Sequence, residues 1–161
     1  LGETFKFTPR RRHDINGIFL VANPAKARQI NPLLGFYYAG NLPVFSVSSI
    51  YSGYSQRVLN QDLKKIFFND MPWFLVKNEF IDGLKNQIQR LWAKNYRKNS
   101  RLYGLGVDAY TLSILFSRLM ALPNFAVNGV TGQLFLQTNN RVYRQLLPAQ
   151  FKNGIPTELI Q

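Results

Sequence analysis

Residues 15–47, INGIFLVANPAKARQINPLLGFYYAGNLPVFSV, decide the fold class of this chain. Residues 15–22 are a nearly continuous apolar run of strand length, which is typical of a buried parallel strand. Residues 42–47 are the next apolar segment of strand length. A strand, a connecting helix and a second strand within this length predict a right-handed βαβ unit with parallel neighbouring strands. The sequence therefore predicts an α/β fold.

The segment between the two strands carries the signals of a helix start. Asn23 suits the N-cap and Pro24 suits the first helical position. We therefore predict a helix to residue 39. Pro32 lies inside it and is expected to kink or split it, because proline removes one backbone hydrogen bond.

After residue 47 the sequence predicts two short apolar segments, two helices and a hairpin. Residues 66–68 and 73–76 are interpreted as strand and turn around the polar residues between them. Ile81, Leu84, Ile88 and Leu91 fall at helical spacing. The further predicted elements are a helix over residues 79–96, a helix over residues 103–122, and a hairpin of residues 133–137 and 142–147 around Asn139 and Asn140.

Composition limits the classes of function. The chain has 161 residues, with 20 Lys and Arg against 8 Asp and Glu, a formal net charge of +12. Such an excess favours anionic partners. The chain has no cysteine, which excludes thiolate catalysis and cysteine zinc sites within it. No apolar run approaches the roughly 20 residues of a membrane span. Because the chain starts at Leu1, we interpret it as a segment of a longer protein.

No residue set supports catalysis by itself. His13 is the one histidine, and its place between Arg12 and Asp14 predicts a surface loop. Glu79 and Asp82 fit compensation of a helix dipole better than a catalytic pair. Residues 104–109 match the dinucleotide pattern G-x-G-x-x-A, but no strand leads into them. We predict no enzyme activity, no cofactor and no metal.

A serine cluster is the first candidate site. Open α/β sheets bind ligands outside the carboxyl ends of their strands. At that end of the second predicted strand lie Ser46, Ser48, Ser49 and Ser52, with Tyr51. The alternative is a polar loop that leaves the sheet. Asp108 is the remote candidate for binding a ligand amine, and its alternative is a first-turn carboxylate on a helix dipole.

A basic stripe is the second candidate site. Arg90, Lys94, Arg97 and Arg101 fall on one side of the predicted helix, opposite its apolar residues, provided that the helix continues through Arg101. The alternative is an ordinary solvated face. A further candidate contact is the run Arg10, Arg11 and Arg12. No nucleic-acid recognition motif accompanies these residues, so we do not predict nucleic-acid binding.

Several segments resemble one family. TPRRRHDINGIFLVANPAKARQINPLL, residues 8–34, resembles the C-terminal domain of the LppC family. LPVFSVSSIYSG, DMPW, YGLGVDAYTL and NGVTGQL resemble later segments of that family in the same order. GVDA and GVTG are also similar to segments of type I periplasmic solute-binding proteins. The resemblance covers essentially the whole chain.

The resemblance implies a fold, a location and a function. It implies that residues 1–161 are one segment of a two-lobed type I binding-protein-like domain, with a parallel sheet flanked by helices and a C-terminal hairpin. It implies an outer-membrane lipoprotein that faces the periplasm and stimulates a class A penicillin-binding protein, a peptidoglycan synthase, without being an enzyme. Peptidoglycan is a further candidate partner. The alternative is a periplasmic receptor for a small amino-acid-like solute.

Overall fold

The computed structural model describes residues 13–122 and 125–159. Its main sheet begins with three parallel strands, β1 (Ile18–Leu20), β2 (Val44–Ser46) and β3 (Ile66–Asp70). The helix α1 (Pro24–Phe36) joins β1 to β2. The predicted βαβ unit is therefore confirmed, with shorter strands than the apolar runs suggested.

Local signals set the start of α1, but Pro32 does not split the helix. The Asn23 side chain accepts a hydrogen bond from the Lys26 amide at 2.9 Å, so Asn23 is the predicted N-cap. The helix is continuous through Pro32 and ends at Phe36. Ala27 is fully buried in the core below α1. This packing holds the helix although Pro32 lacks an amide proton.

The segment after β3 corrects the sequence interpretation. β3 continues to Asp70, and residues 73–76, interpreted as part of a strand and turn, lie largely in a short helix, α2 (Pro72–Leu75). Pro72 favours this start because its fixed φ suits the first helical position. The Trp73 amide then donates to the Val130 carbonyl at 2.7 Å, which ties α2 to the C-terminal part of the chain.

One long helix replaces the two predicted helices. α3 (Glu79–Ala121) includes the residues expected to separate them, but its backbone torsions depart from helical values at Trp92 and Asn99. Ile81 packs in the core as predicted, whereas Leu91 is 68% exposed, so its predicted place on the core face is wrong. Leu91 immediately precedes Trp92, where the backbone torsions depart from helical values. No helix in residues 13–122 or 125–159 is both long and apolar enough to cross a membrane.

Two antiparallel units complete the fold. The predicted hairpin is present as β5 (Gln133–Leu136) and β6 (Val142–Gln145), and β4 (Ala126–Asn128) extends it to three strands. A second hairpin, β7 (Leu147–Lys152) and β8 (Ile155–Glu158), pairs with β3 and gives the main sheet the order β1-β2-β3-β7-β8. This second hairpin was not predicted from the sequence.

Two core clusters position the candidate sites. One lies between the main sheet and α1, and includes Ile66 and Phe151. The other surrounds Trp73, where α3 passes α2 and the turn before β5. Trp73 Nε1 donates to Ser100 Oγ at 3.1 Å, and a Cβ on Gly104 would lie 3.3 Å from Trp73 Cγ. Gly104 therefore lets α3 pass close to Trp73, and residues 104–109 are the middle of a helix, as expected from the absence of a preceding strand.

Candidate functional site

The serine cluster lies at the carboxyl edge of the parallel strands. Ser46 ends β2, and Ser48 and Ser49 begin a 3-10 turn after it. Ser46 Oγ donates to the Leu20 carbonyl at 2.6 Å. Ser49 Oγ donates to the Ala22 carbonyl at 3.1 Å. These two hydroxyls join the end of β2 to the end of β1, so the structure gives them a role within the sheet.

An ion pair dominates the same edge of the sheet. Asp70, the last residue of β3, is fully buried, and its carboxylate pairs with both terminal nitrogens of Arg101 at 2.5 and 2.8 Å. Arg101 Nη2 also donates to the carbonyls of Ser48 and Tyr51, each at 2.9 Å. The guanidinium therefore links α3 to the ends of β2 and β3.

Arg101 does not belong to the predicted basic stripe. Arg90, Lys94 and Arg97 are exposed, but Arg101 turns inward to Asp70. The four cations share one side only in a helix with regular torsions, and Asn99 departs from them with φ −123° and ψ 23°. The candidate partner surface on α3 is thus reduced to three cations. Arg10, Arg11 and Arg12 lie outside the described residues, so their candidate role stays a prediction.

Tyr51 also lies inside the molecule. It is 6% exposed, and its ring packs edge-to-face against Phe74 and Phe151. Burial raises the pKa of Tyr51 to about 12; the Asp70 carboxylate adds to this rise, and the Arg101 guanidinium opposes it. The hydroxyl is therefore neutral over the ordinary pH range, and the ring contributes to the core.

Asp108 is a structural carboxylate that holds a turn. It is 3% exposed, and its two oxygens accept hydrogen bonds from the amides of Val130 and Thr131, each at 2.8 Å. The Thr131 hydroxyl donates to it as well. A Cβ on Gly129 would lie 2.5 Å from Asp108 Oδ2, so only glycine leaves room for this approach. Asp108 is also 29 residues after Glu79, the first residue of α3, and nine residues after the break at Asn99, which excludes the first-turn alternative for it.

These contacts join two motifs that the sequence shows separately. The GVDA segment supplies the carboxylate, and the GVTG segment supplies the donors. Both partners are buried, and Asp108 does not share a site with Ser46, Ser48 and Ser49 in the described contacts. Both Asp108 oxygens are engaged by hydrogen bonds within the fold, and its amine-binding role stays a prediction.

Comparison with known proteins identifies the family. The sequence model described as "LppC putative lipoprotein" matches residues 1–154. The chain belongs to the LppC family. It is 32% identical over 141 residues to the penicillin-binding protein activator LpoA of Vibrio vulnificus, an alignment that covers 86% of this chain and 22% of that protein. The chain thus spans about a fifth of the length of this curated relative.

Solved structures support the fold of this LppC-family chain. The LpoA (YraM) C-domain of Haemophilus influenzae, described as a regulator of PBP1A, superposes with a TM-score of 0.73 at 22% identity. The match covers 93% of this chain and 46% of that one. A Chromobacterium violaceum protein described as a "putative branched-chain amino acid ABC transporter" matches with a TM-score of 0.57 at 24% identity, over 84% of this chain and 42% of that one. At these identities the likeness concerns the fold alone.

A groove at the opposite edge of the sheet was not predicted. It has a volume of about 670 Å³ and lies at the amino ends of β2 and β3. Lys64, Lys65 and Asn153 line it together with residues from the end of α1. None of the candidate site residues lines this groove. In residues 13–122 and 125–159, no cluster of three or more metal-binding side chains occurs.

Proposed function

We propose that this chain is the part of an outer-membrane lipoprotein that binds a class A penicillin-binding protein and stimulates its peptidoglycan synthesis. The observation that carries the proposal is the family match over residues 1–154, together with a relative named as a penicillin-binding protein activator. An activator acts through contact with another protein and needs no reaction centre of its own. This agrees with the absence of a catalytic residue set in the sequence.

The proposed location is the periplasmic face of the outer membrane. The family description as a lipoprotein supports a lipid anchor, and the activator name of the relatives supports a place beside the cell-wall synthases. The net charge of +12 suits a partner with an acidic surface. Peptidoglycan, which carries carboxylates, is a second proposed contact.

The three exposed cations of α3 are the proposed contact surface. Arg90, Lys94 and Arg97 are exposed and lie near the break in helical torsions at Trp92. The Arg97 guanidinium lies 6.0 Å from the centre of the Tyr54 ring, and the Tyr54 hydroxyl donates to the Arg97 carbonyl. These contacts hold this part of α3 against the body of the domain and present the cations to solvent. Such a surface raises the rate of encounter with an acidic partner.

Charge reversal tests the surface. The triple variant Arg90→Glu, Lys94→Glu, Arg97→Glu, made in the natural polypeptide, should bind a purified class A penicillin-binding protein roughly tenfold more weakly, because each exposed charge contributes up to about 1 kcal/mol. Glycan polymerisation and peptide cross-linking report the stimulation. Added salt should weaken wild-type binding and change the variant less.

A matched control separates local contact from total charge. Lys26, Lys77 and Lys152 are exposed lysines outside α3, and their reversal to Glu changes the net charge by the same amount. The control should stimulate the synthase as the wild type does. Equal loss in both triple variants would overturn the α3 surface as a specific contact. If the wild-type protein does not bind or stimulate the synthase, the proposed function itself fails.

The solute-receptor alternative has less support. A receptor for an amino-acid-like solute needs free hydroxyl and carboxylate groups that converge on one cleft. Here the hydroxyls of Ser46 and Ser49 donate hydrogen bonds to backbone carbonyls at and just after the end of β1. The Asp108 carboxylate accepts from the amides of the turn at residues 130 and 131. Calorimetric binding of free amino acids to the wild-type protein at micromolar affinity would reverse this preference.

A further inference from the structure

The carboxyl edge of the main sheet presents hydrogen-bond acceptors to a single cation. The acceptors are the Asp70 carboxylate and the carbonyls of Ser48 and Tyr51. Asp70 is fully buried, and its other hydrogen bond comes from the Met71 amide at 2.8 Å. A buried carboxylate beside two carbonyls, all of them acceptors, favours a positively charged group that carries several donors.

The geometry selects a guanidinium rather than a point charge. The two oxygens of Asp70 accept from the two terminal nitrogens of Arg101, which is the bidentate arrangement of a planar fork. The guanidinium carbon lies 4.8 Å from the centre of the Phe74 ring, so the flat group also has an aromatic neighbour. An ammonium group would satisfy the carboxylate but could not match the paired oxygens with a planar pair of donors.

The position of these acceptors is that of a ligand site. In open α/β sheets, ligands bind outside the carboxyl ends of the strands, and Asp70 and Ser48 lie at those ends of β3 and β2. Arg101 reaches the edge from α3, a separate element, and its side chain remains 33% exposed. The guanidinium thus contacts the acceptors while part of the Arg101 side chain faces solvent.

We propose that Asp70, the Ser48 and Tyr51 carbonyls and the Phe74 ring form a guanidinium-binding site that Arg101 fills within the same chain. The site should bind guanidinium compounds most tightly and primary amines less tightly. In the wild-type chain Arg101 competes with any free ligand at an effectively intramolecular concentration. Removing its side chain therefore converts this edge of the sheet into a receptor for small guanidinium ions.

The test is chemical rescue of Arg101→Ala. Methylguanidinium should bind this variant at least tenfold more tightly than N-methylurea, which has a similar planar shape without the charge. At ten times its Kd, methylguanidinium should raise the Tm of the variant by about 3–5 °C. Methylammonium should give a smaller rise. Wild-type protein should show no such difference between the three compounds.

Two further variants make the result specific. Arg97→Ala removes an exposed arginine one helical turn earlier, so methylguanidinium should not stabilise it beyond the wild type. Arg101→Ala combined with Asp70→Asn should lose the preference for methylguanidinium over N-methylurea, because the bidentate anion is gone. Equal effects of the two compounds on Arg101→Ala, or an equal rescue of Arg97→Ala, would overturn the proposal.

Refolding covers the case in which Arg101→Ala does not accumulate as folded protein. The variant is then refolded from denaturant in the presence of each compound, and the folded yield is measured by near-UV circular dichroism. A yield that rises with methylguanidinium and not with N-methylurea supports the site. The same low yield in all three compounds, with refolding of Arg101→Lys intact, overturns it.

Discussion

Asp70 and Asp108 are buried carboxylates that attach α3 to the rest of the molecule in two different ways. Asp70 lies on the sheet and receives the Arg101 guanidinium from α3. Asp108 lies on α3 and receives the amides of Val130 and Thr131 and the Thr131 hydroxyl. In the described part of the chain, no ion pair is formed by Asp108. One attachment therefore uses a full opposite charge, and the other uses neutral donors.

The difference has consequences for stability. A charge pair requires both partners to lose water, and its removal as a pair can be nearly neutral. Two of the three donors to Asp108 are backbone amides, which no side-chain substitution can delete. Loss of the Asp108 carboxylate therefore leaves two buried amides without an acceptor even if the Thr131 hydroxyl is removed as well. We expect the Asp108 attachment to be the more sensitive of the two.

Asp108→Ala should have the largest effect. It leaves the amides of Val130 and Thr131 and the Thr131 hydroxyl without their acceptor, which should lower the free energy of unfolding by about 4 kcal/mol. Asp108→Asn keeps one acceptor oxygen but turns an amide group toward a donor, so about half of that loss is expected. Urea unfolding followed by circular dichroism measures both. A loss below about 1 kcal/mol for Asp108→Ala would show that the turn is held by other contacts.

The Asp70 pair should show repair by a second substitution. Arg101→Met alone leaves the Asp70 carboxylate buried and unpaired, which should lower the free energy of unfolding by about 3 kcal/mol. Adding Asp70→Leu removes the unpaired charge, and the double variant should recover most of the loss. A double-mutant cycle from urea unfolding measures the coupling. If the losses in the free energy of unfolding were additive, Arg101 and Asp70 would not be directly coupled, and a second substitution would not repair this attachment.

The sequence predicted the parts of the fold whose signals are local. The apolar runs and the Asn23–Pro24 cap identified the βαβ unit, and Asn139 and Asn140 marked one hairpin. The hairpin of β7 and β8 also has a local signal, Asn153–Gly154, where both residues have positive φ. Its antiparallel pairing with β3 joins distant segments and has no such signal.

The sequence predicted where the carboxyl edge of the parallel strands lies, but it did not predict the ion pair that forms there. The strand pattern located the carboxyl edge where Ser46 and Ser48 lie. It could not show that Arg101 reaches this edge, because the partner Asp70 is 31 residues away and the helix is broken at Asn99. Helical periodicity placed Arg101 with Arg97 on the assumption of regular torsions. The sequence pattern therefore could not predict which distant residues pair or where the helix breaks.

The smallest expected effect is a dependence of stability on pH, and it concerns Tyr51 at the charged edge of the sheet. Burial raises its pKa to about 12, above its ordinary value of 10.0. Between these values the unfolded chain releases the hydroxyl proton and the folded chain keeps it, so stability falls as pH rises. The contribution is fully present below about pH 10, and we expect a loss of about 1–2 kcal/mol by about pH 12 after allowance for solvent screening.

Tyr51→Phe should remove this part of the pH dependence, because phenylalanine has no proton to release. Urea unfolding of wild type and variant from about pH 8 to about pH 12 gives the difference directly, and titration of the lysines cancels between them. Tyr110→Phe, at a tyrosine that is 70% exposed, is the matched control and should keep the wild-type slope. In the Arg101→Met background the pKa of Tyr51 should rise further, because the guanidinium that opposes the rise is absent. The loss of stability due to Tyr51 should then extend over a wider pH range. Parallel curves for wild type and Tyr51→Phe would contradict the burial of this hydroxyl beside Asp70 at the carboxyl edge.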